Sequence, residues 1–211
     1  MTHAELPVPA PTRAELRRAQ VLEAASKCFN REGFNGASMA SIAAEASMSV
    51  GQIYRYFENK EAIIAALVEQ SMEEWGSRMA GVRARSGDLV EQMIDVARYH
   101  AEKVGQLESA ALCLEFFAEA ARNPRIADIV RLIDANMRQH LRETLILAGA
   151  ADDDTIDARL HMIVMLIDGW ALRAVKDPSL AIEDYMESLR PLFAILLRCG
   201  SEDCATAKAA S

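Results

Sequence analysis

Apolar residues recur along most of this chain at intervals of three and four, the spacing of one face of a helix. From Lys60 onward the periodicity is nearly unbroken and predicts helices over residues 60–82, 88–104, 107–122, 125–147, 155–176 and 180–198. The breaks fall at 81–87, Gly105, Asn123-Pro124, 149–154 and Asp177-Pro178. A residue before proline is pushed out of the α region, so the Asn-Pro and Asp-Pro pairs are firm stops. Ahead of Lys60, Val21, Leu22, Ala25, Cys28 and Phe29 form the stripe of a first helix that Gly33 ends as a C-cap. Met39, Ile42, Ala43 and Ala46 mark a second, short helix, and a third begins at Ser49. No segment alternates with the period of two that a half-buried strand needs. The expected fold is all-α with nine helices.

Residues 38–60, SMASIAAEASMSVGQIYRYFENK, organise the rest. Ser38 is a good N-cap for the helix over 39–46. Ser49-Val50-Gly51-Gln52 has the spacing of a capping box, with a hydroxyl first and an amide three residues on. Only Ser47-Met48 separates the two helices. So short a connection forbids antiparallel packing and forces a steep crossing, the helix-turn-helix arrangement.

The second of these helices presents unusual chemistry. If Ile53 and Phe57 point inward as an i, i+4 pair, then Gly51, Gln52 and Arg55 point outward, with Tyr54 and Tyr56 on the flanks. A merely solvated face would favour Glu and Lys; this one suits a major groove. Gly51 lets the backbone approach closely, Gln52 and Arg55 reach base edges or phosphates, and the tyrosine hydroxyls reach phosphate oxygens. Arg13, Arg17 and Arg18 open the first helix, against the dipole preference. That start reads equally as a solvated helix end or as a phosphate or minor-groove contact. Lys60, in the first turn of the next helix, is also misplaced by the dipole rule, and a nearby phosphate would explain it.

On these residues the segment over 21–64 resembles the DNA-binding domain of the tetracycline-repressor (TetR) family of bacterial regulators. The resemblance rests on Ala25, Phe29, Gly33-Phe34, Ser38, Ile42-Ala43, Ala46, Ser49, Gly51, Ile53-Tyr54, Tyr56-Phe57 and Lys60-Glu61. It implies a DNA-contacting set of Arg13, Ser38, Ser49, Val50, Gly51, Gln52, Tyr54, Arg55, Tyr56 and Lys60. Ser47 stands where the family often has glycine in the turn, Met48 where valine is usual, and Val50 where a polar residue is frequent. The apolar Val50 either removes a base contact or makes it one to a thymine methyl.

Charge changes the picture in one respect. The chain has 211 residues and a formal net charge of −8, which by itself argues against nucleic acid. Residues 1–60 hold seven Lys/Arg and six Asp/Glu, whereas the remainder holds 16 and 25. The acidity therefore belongs to the C-terminal part, and such asymmetry marks separate jobs. The N-terminal part is still barely basic, so two copies are needed to raise DNA affinity. The expected domains are an extended, disordered arm over 1–12, a DNA-binding domain over 13–60, an effector-binding and dimerisation domain over 61–200, and a flexible tail over 201–211. No stretch is long and apolar enough to span a membrane, and the N-terminus has no signal-peptide pattern. Cys28, Cys113, Cys199 and Cys204 form no disulfide framework, so the expected compartment is the cytoplasm.

The helices over 155–176 and 180–198 carry apolar residues on more than one face. Both are internal to one domain, or each covers its own core on one face and a second subunit on the other. The resemblance implies the homodimer, joined in a four-helix interface, with Gly169 permitting close approach. Between them and Lys60, methionines, aromatics and scattered polar groups suit an adaptable apolar cavity. In regulators of this family such a cavity holds a small effector, apolar or cationic. The candidates are Trp75, Met79, Met93, His100, Phe116, Phe117, Met137, His140, Met162 and Met165. Residues 113–130 and 166–178 further resemble the C-terminal domain of the betaine-repressor branch. That implies a quaternary ammonium stacked on Trp75, Phe116, Phe117 or Trp170, with Glu115, Glu119 or Asp168 as counter-charge.

Catalytic and cofactor chemistry finds no support. His3, His100, His140 and His161 lie far apart, and none has a partner at metal-ligand spacing. Asp152, Asp153 and Asp154 precede a helix that carboxylates stabilise, and there is neither a phosphate-cradling glycine loop nor a nucleophile elbow. The reading is a non-enzymatic regulator, without cofactor or metal, that binds a palindromic operator in double-stranded DNA as a homodimer. The alternative is an all-α ligand-binding or interaction protein without specific DNA recognition.

Overall fold

The computed structural model describes residues 12–104, 107–150 and 155–198. Most of the expected arm and all of the expected tail, with Gly105, Asp152–Asp154, Cys199, Cys204 and His3, lie outside the described residues. Among the described residues nine α-helices account for the fold: α1 (Arg13–Gly36), α2 (Met39–Glu45), α3 (Val50–Ile53), α4 (Lys60–Ala84), α5 (Leu89–Val104), α6 (Leu107–Ala120), α7 (Pro124–Leu147), α8 (Ile156–Lys176) and α9 (Ile182–Arg198). The described residues contain no strand, so the all-α expectation holds.

Local chemistry sets the ends. Thr12 caps α1 in a reciprocal capping box with Glu15. Gly33 does not end that helix but kinks it: its φ is 73°, and helical structure resumes to Gly36. Only glycine adopts that conformation without Cβ strain. Asn123 is an extended N-cap whose side chain accepts from the Arg125 amide, and Pro124 opens α7 as its first residue. Proline is tolerated there because the missing N–H would have had no intrahelical acceptor. The proline thus starts the helix rather than merely preceding it.

The chain forms two compact units, Met1–Leu67 and Val68–Ser211, and α4 continues through the division. In the first unit Val21, Ala25, Cys28, Phe29, Phe34, Ile42, Ala43, Ile53, Phe57 and Ile63 are buried together on the inner faces of α1 to α4. In the second, Met79, Met93, Ile94, Leu141, Leu145, Ile156, Leu160, Ile163 and Phe193 form a continuous core. Each such side chain contributes about 1.5–3 kcal/mol by leaving water. Trp170 fixes the packing direction: its indole N–H donates to the Ala101 carbonyl at 3.0 Å, and its ring lies 5.0 Å from that of Tyr185. The Tyr185 hydroxyl in turn donates to the Leu166 carbonyl. Gly169 faces that same hydroxyl, 3.4 Å from where a Cβ would stand, so the close approach it permits is within this chain.

Candidate nucleic-acid interface and ligand cavity

In the N-terminal unit the polar side chains of α2 and α3 first build their own helices. Ser38 and Ser41 form a reciprocal capping box at α2. Ser47 turns the chain with φ 52°, the left-handed conformation that glycine would adopt at lower cost. Ser49 and Gln52 cap α3 reciprocally: the Gln52 amide donates to Ser49 Oγ, and Gln52 Oε1 accepts from the Ser49 amide. That uses the Gln52 oxygen and leaves its NH2 group as the outward donor. Regular α geometry covers only four residues, and tightened turns carry the chain on to Phe57.

Ile53 and Phe57 are buried, so the opposite face is held outward. Val50 (39% exposed), Gly51, Gln52, Tyr54 (53%) and Arg55 face solvent, while Tyr56 is half-buried. A Cβ on Gly51 would meet nothing within 4 Å, so the protein itself does not require glycine there. Arg18 fastens the segment to α1, with its guanidinium 4.2 Å from the Phe57 ring centre and a hydrogen bond to the Tyr56 carbonyl. Gln20 does the same for the turn by donating to the Ala46 carbonyl at 2.8 Å.

Arg13 and Arg17 of α1 surround a polar hollow of about 450 Å³ together with Met48, Gln52, Arg55 and Tyr56. The structure thus brings Arg13 to Gln52, Arg55 and Tyr56, and adds Arg17, one helical turn after Arg13. Ser38 and Ser49 sit exposed at the helix starts. Lys60 is placed differently. Its ammonium donates to the carbonyls of Phe34 (2.5 Å) and Ala37 (3.0 Å) and lies 4.3 Å from the Phe34 ring centre. The carbonyls at the end of α1, rather than a phosphate, account for a cation at that position.

The second unit holds a cavity of about 460 Å³, within the range that takes a small organic ligand. Its walls are one face each of five helices: Val68, Ser71, Met72 and Trp75 of α4; His100 of α5; Cys113, Phe116 and Phe117 of α6; Val130, Ile133, Asp134, Asn136 and Met137 of α7; Val164, Asp168 and Ala171 of α8. Of the expected effector residues, Trp75, His100, Phe116, Phe117 and Met137 come together here.

The other five do not line it. Met79 and Met93 are wholly buried in the solid core. His140 packs its ring on α4, its Nε2 3.0 Å from where a Gly76 Cβ would stand. Met162 and Met165 (65% exposed) project outward from α8, away from its core-facing side. Of the candidate counter-charges Asp168 lines the cavity, whereas Glu115 and Glu119 do not. Trp170 belongs to the core. Met72 and Cys113, among the methionines and polar groups that suit a cavity, also line it, whereas Val68, Ser71, Asp134 and Asn136 were absent from the site set predicted from sequence. The α4 spacing 68, 71, 72, 75 was the available signal, since it marks one helical face.

Burial and the neighbouring Asp134 push the Asp168 carboxyl up from 3.8 to about 6. Burial, with Asp168 nearby, pushes the Cys113 thiol up to about 11. Burial and Lys103 lower His100. Near neutral pH the cavity therefore holds a neutral imidazole, a protonated thiol and a carboxylate at Asp168. Two buried polar atoms in the wall, Trp75 Nε1 and Asn136 Oδ1, have no hydrogen-bond partner among the described residues. Those residues contain no cluster of His, Cys, Asp and Glu able to hold a metal, and no helix long and apolar enough to cross a membrane.

A helix-turn-helix with an exposed second helix, followed by a helical unit enclosing a cavity, defines a DNA-binding transcriptional regulator. The family pattern for bacterial regulatory proteins of the tetR family matches residues 21–67, and that for the BetI-type transcriptional repressor C-terminal domain matches residues 87–196. The chain belongs to the tetR family and has a C-terminal half of the BetI type. It is similar to the HTH-type transcriptional repressor AcnR of Corynebacterium diphtheriae, 30% identical over 172 residues covering 80% of this chain and 86% of that protein. It is also similar to the HTH-type nicotine-responsive transcriptional repressor HdnoR of Paenarthrobacter nicotinovorans, 26% identical over 77% of this chain and 86% of that protein. Among solved structures, Salmonella enterica GusR shares the fold with a TM-score of 0.71 at 23% identity, covering 89% of this chain and 98% of that chain.

Proposed function

We propose that this protein is a cytoplasmic, non-enzymatic repressor that binds a palindromic operator as a homodimer and is released by a small apolar or cationic effector. The observation that carries the reading is that one helix, α4, runs from the DNA-contacting unit into the wall of the cavity. DNA recognition belongs to residues 13–60, through Arg13, Ser38, Ser49, Val50, Gly51, Gln52, Tyr54, Arg55 and Tyr56. Effector binding and dimerisation belong to residues 61–200. Val50 contributes a methyl contact of the kind that reads thymine.

The dimer is supported by an unpartnered apolar stripe. Met162, Met165, Leu172 and Val175 of α8 and Leu192 and Ile195 (62% exposed) of α9 are exposed, while the opposite faces of the same helices fill the core. Pairing these stripes removes a large apolar area from water. Effector capture at Trp75 and Met72 shifts α4, and the two recognition helices cease to match successive major grooves roughly 34–36 Å apart.

Binding to DNA upstream of the protein's own gene, measured by gel shift over a range of salt, tests the proposal. The wild type is expected to bind with strong salt dependence. Arg55→Ala and Tyr56→Ala are expected to abolish the shift while sedimentation still reports a dimer. An undiminished shift in both variants refutes the assignment of the interface. A ligand-binding protein without DNA recognition would give no salt-dependent shift with any fragment.

A further inference from the structure

A glutamine that faces DNA ordinarily has two ends to offer. Its carbonyl accepts and its NH2 donates, and together they match the N6 and N7 atoms of adenine. In this protein one of the two ends is already taken. The Ser49 backbone amide lies 2.8 Å from the side-chain oxygen of Gln52. A backbone N–H can only donate, so the end that meets it is the oxygen and the NH2 is the other end. Ser49 Oγ accepts from the Gln52 backbone amide at 3.2 Å and closes the box from its other side. Gln52 is exposed, and no acceptor among the described residues takes its two side-chain hydrogens.

Turning the amide over would set NH2 against N–H and undo half of the capping box. The start of α3 therefore holds Gln52 as a donor alone. The side chains beside it supply no acceptor in its place: Arg55 only donates, Val50 offers methyl groups, and residues 50–56 include no acid. Arg13 and Arg17 line the same polar hollow as Gln52, and their charges suit a phosphate better than a neutral amide does. Gln52 is the third residue of α3, and the N-terminal residues of a recognition helix are the ones that meet base edges.

The major-groove edges decide what a donor with two hydrogens selects. Guanine presents two acceptors, N7 and O6. Thymine presents one, O4. Adenine sets its N6 donor beside N7, and cytosine presents its N4 donor. Resting on the DNA-binding reading above, we propose that Gln52 is a specificity-determining residue that reads guanine, and that the capping box of α3 turns it away from adenine. One hydrogen bond then both caps the helix and sets the base it reads.

The test selects binding sites for the full-length protein from random duplex DNA. Every single base substitution is then made in the best site, and relative affinities are read by competition for the wild type, Gln52→Glu and Gln52→Lys. The first variant keeps an oxygen for the Ser49 amide and offers no hydrogen; the second offers hydrogens only. At one position of each half-site the wild type is expected to prefer guanine to adenine by about tenfold or more. Gln52→Glu is expected to lose that preference at that position alone and to favour cytosine there through its N4 hydrogens, whereas Gln52→Lys keeps guanine. Ranking the four bases within one position separates this effect from any general loss of affinity. Adenine as the preferred base where the two variants diverge overturns the donor assignment and leaves the DNA-binding reading standing. Base preferences that respond to neither variant overturn it too, since Gln52 then reads no base. If selection yields no sequence preference at all, the DNA-binding reading falls and the guanine assignment with it.

Discussion

The two units turn their candidate polar groups in different directions, one outward from its core and the other inward. In Met1–Leu67 the interior is apolar, and Arg55, Tyr54, Gln52 and Arg13 stand outside it. In Val68–Ser211 the telling polar groups, Asp168, Asn136 and the Trp75 indole, belong to the wall of the cavity. A group on an outer face keeps its water until a partner arrives and costs the fold little. A group turned inward gives up its water during folding, and the fold carries that cost. Substitutions at the first site should therefore separate function from stability, whereas substitutions at the second should move both, some toward greater stability.

The largest effect expected is in the solid core of the second unit. Phe193→Ala, at a wholly buried position, should cost about 3–5 kcal/mol in chemical denaturation. A loss well below that range would mean the core around α9 collapses to refill the void. Next comes Asp168→Asn, with the opposite sign. Because the folded carboxyl sits at about 6 rather than 3.8, the native state is disfavoured once pH rises through that window. The contrast corresponds to about 3 kcal/mol. Asp134, the Cys113 thiol and the Tyr185 hydroxyl interact with this carboxyl. The substitution should stabilise the ligand-free protein at pH 7 by up to that amount and by almost nothing near pH 4. Equal effects at both pH values would refute the assignment.

Much of this was legible along the chain, and the failures have physical causes. Helices and their caps could be read because apolar spacing and hydroxyl–amide pairs at three residues are local signals. Ile53 and Phe57 could be turned inward for the same reason. The kink at Gly33 was not legible, since a glycine that stops a helix and one that bends it look alike until Phe34 finds its place in the core. Methionine misled most: Met72 and Met137 line the cavity, but Met79 and Met93 are packed core and Met162 and Met165 point outward. Nothing in a single sequence tells a packed wall from a hollow one. Asp134 and Asn136 were missed because polar residues on a helix ordinarily mean an outer face.

The smaller expected effects sharpen the contrast at the first unit. Ser49→Ala removes a cap from α3 and should cost about 1 kcal/mol, together with some loss of DNA affinity through fraying of the exposed turn. Arg55→Ala should change thermal stability by less than about 0.5 kcal/mol, the range for solvent-facing substitutions, even where it removes DNA binding. A large destabilisation by Arg55→Ala would place that guanidinium in the fold rather than on its working face.

The engagement of Lys60 limits how the N-terminal unit can respond to strain. Its ammonium grips the end of α1 from the first turn of α4, while Arg18 grips the Tyr56 carbonyl from the other side. Tilting the start of α4 therefore drags α1 along, and α1 drags the recognition segment. The DNA-reading head is steered as one block, like a rudder on its stock, instead of being peeled apart helix by helix.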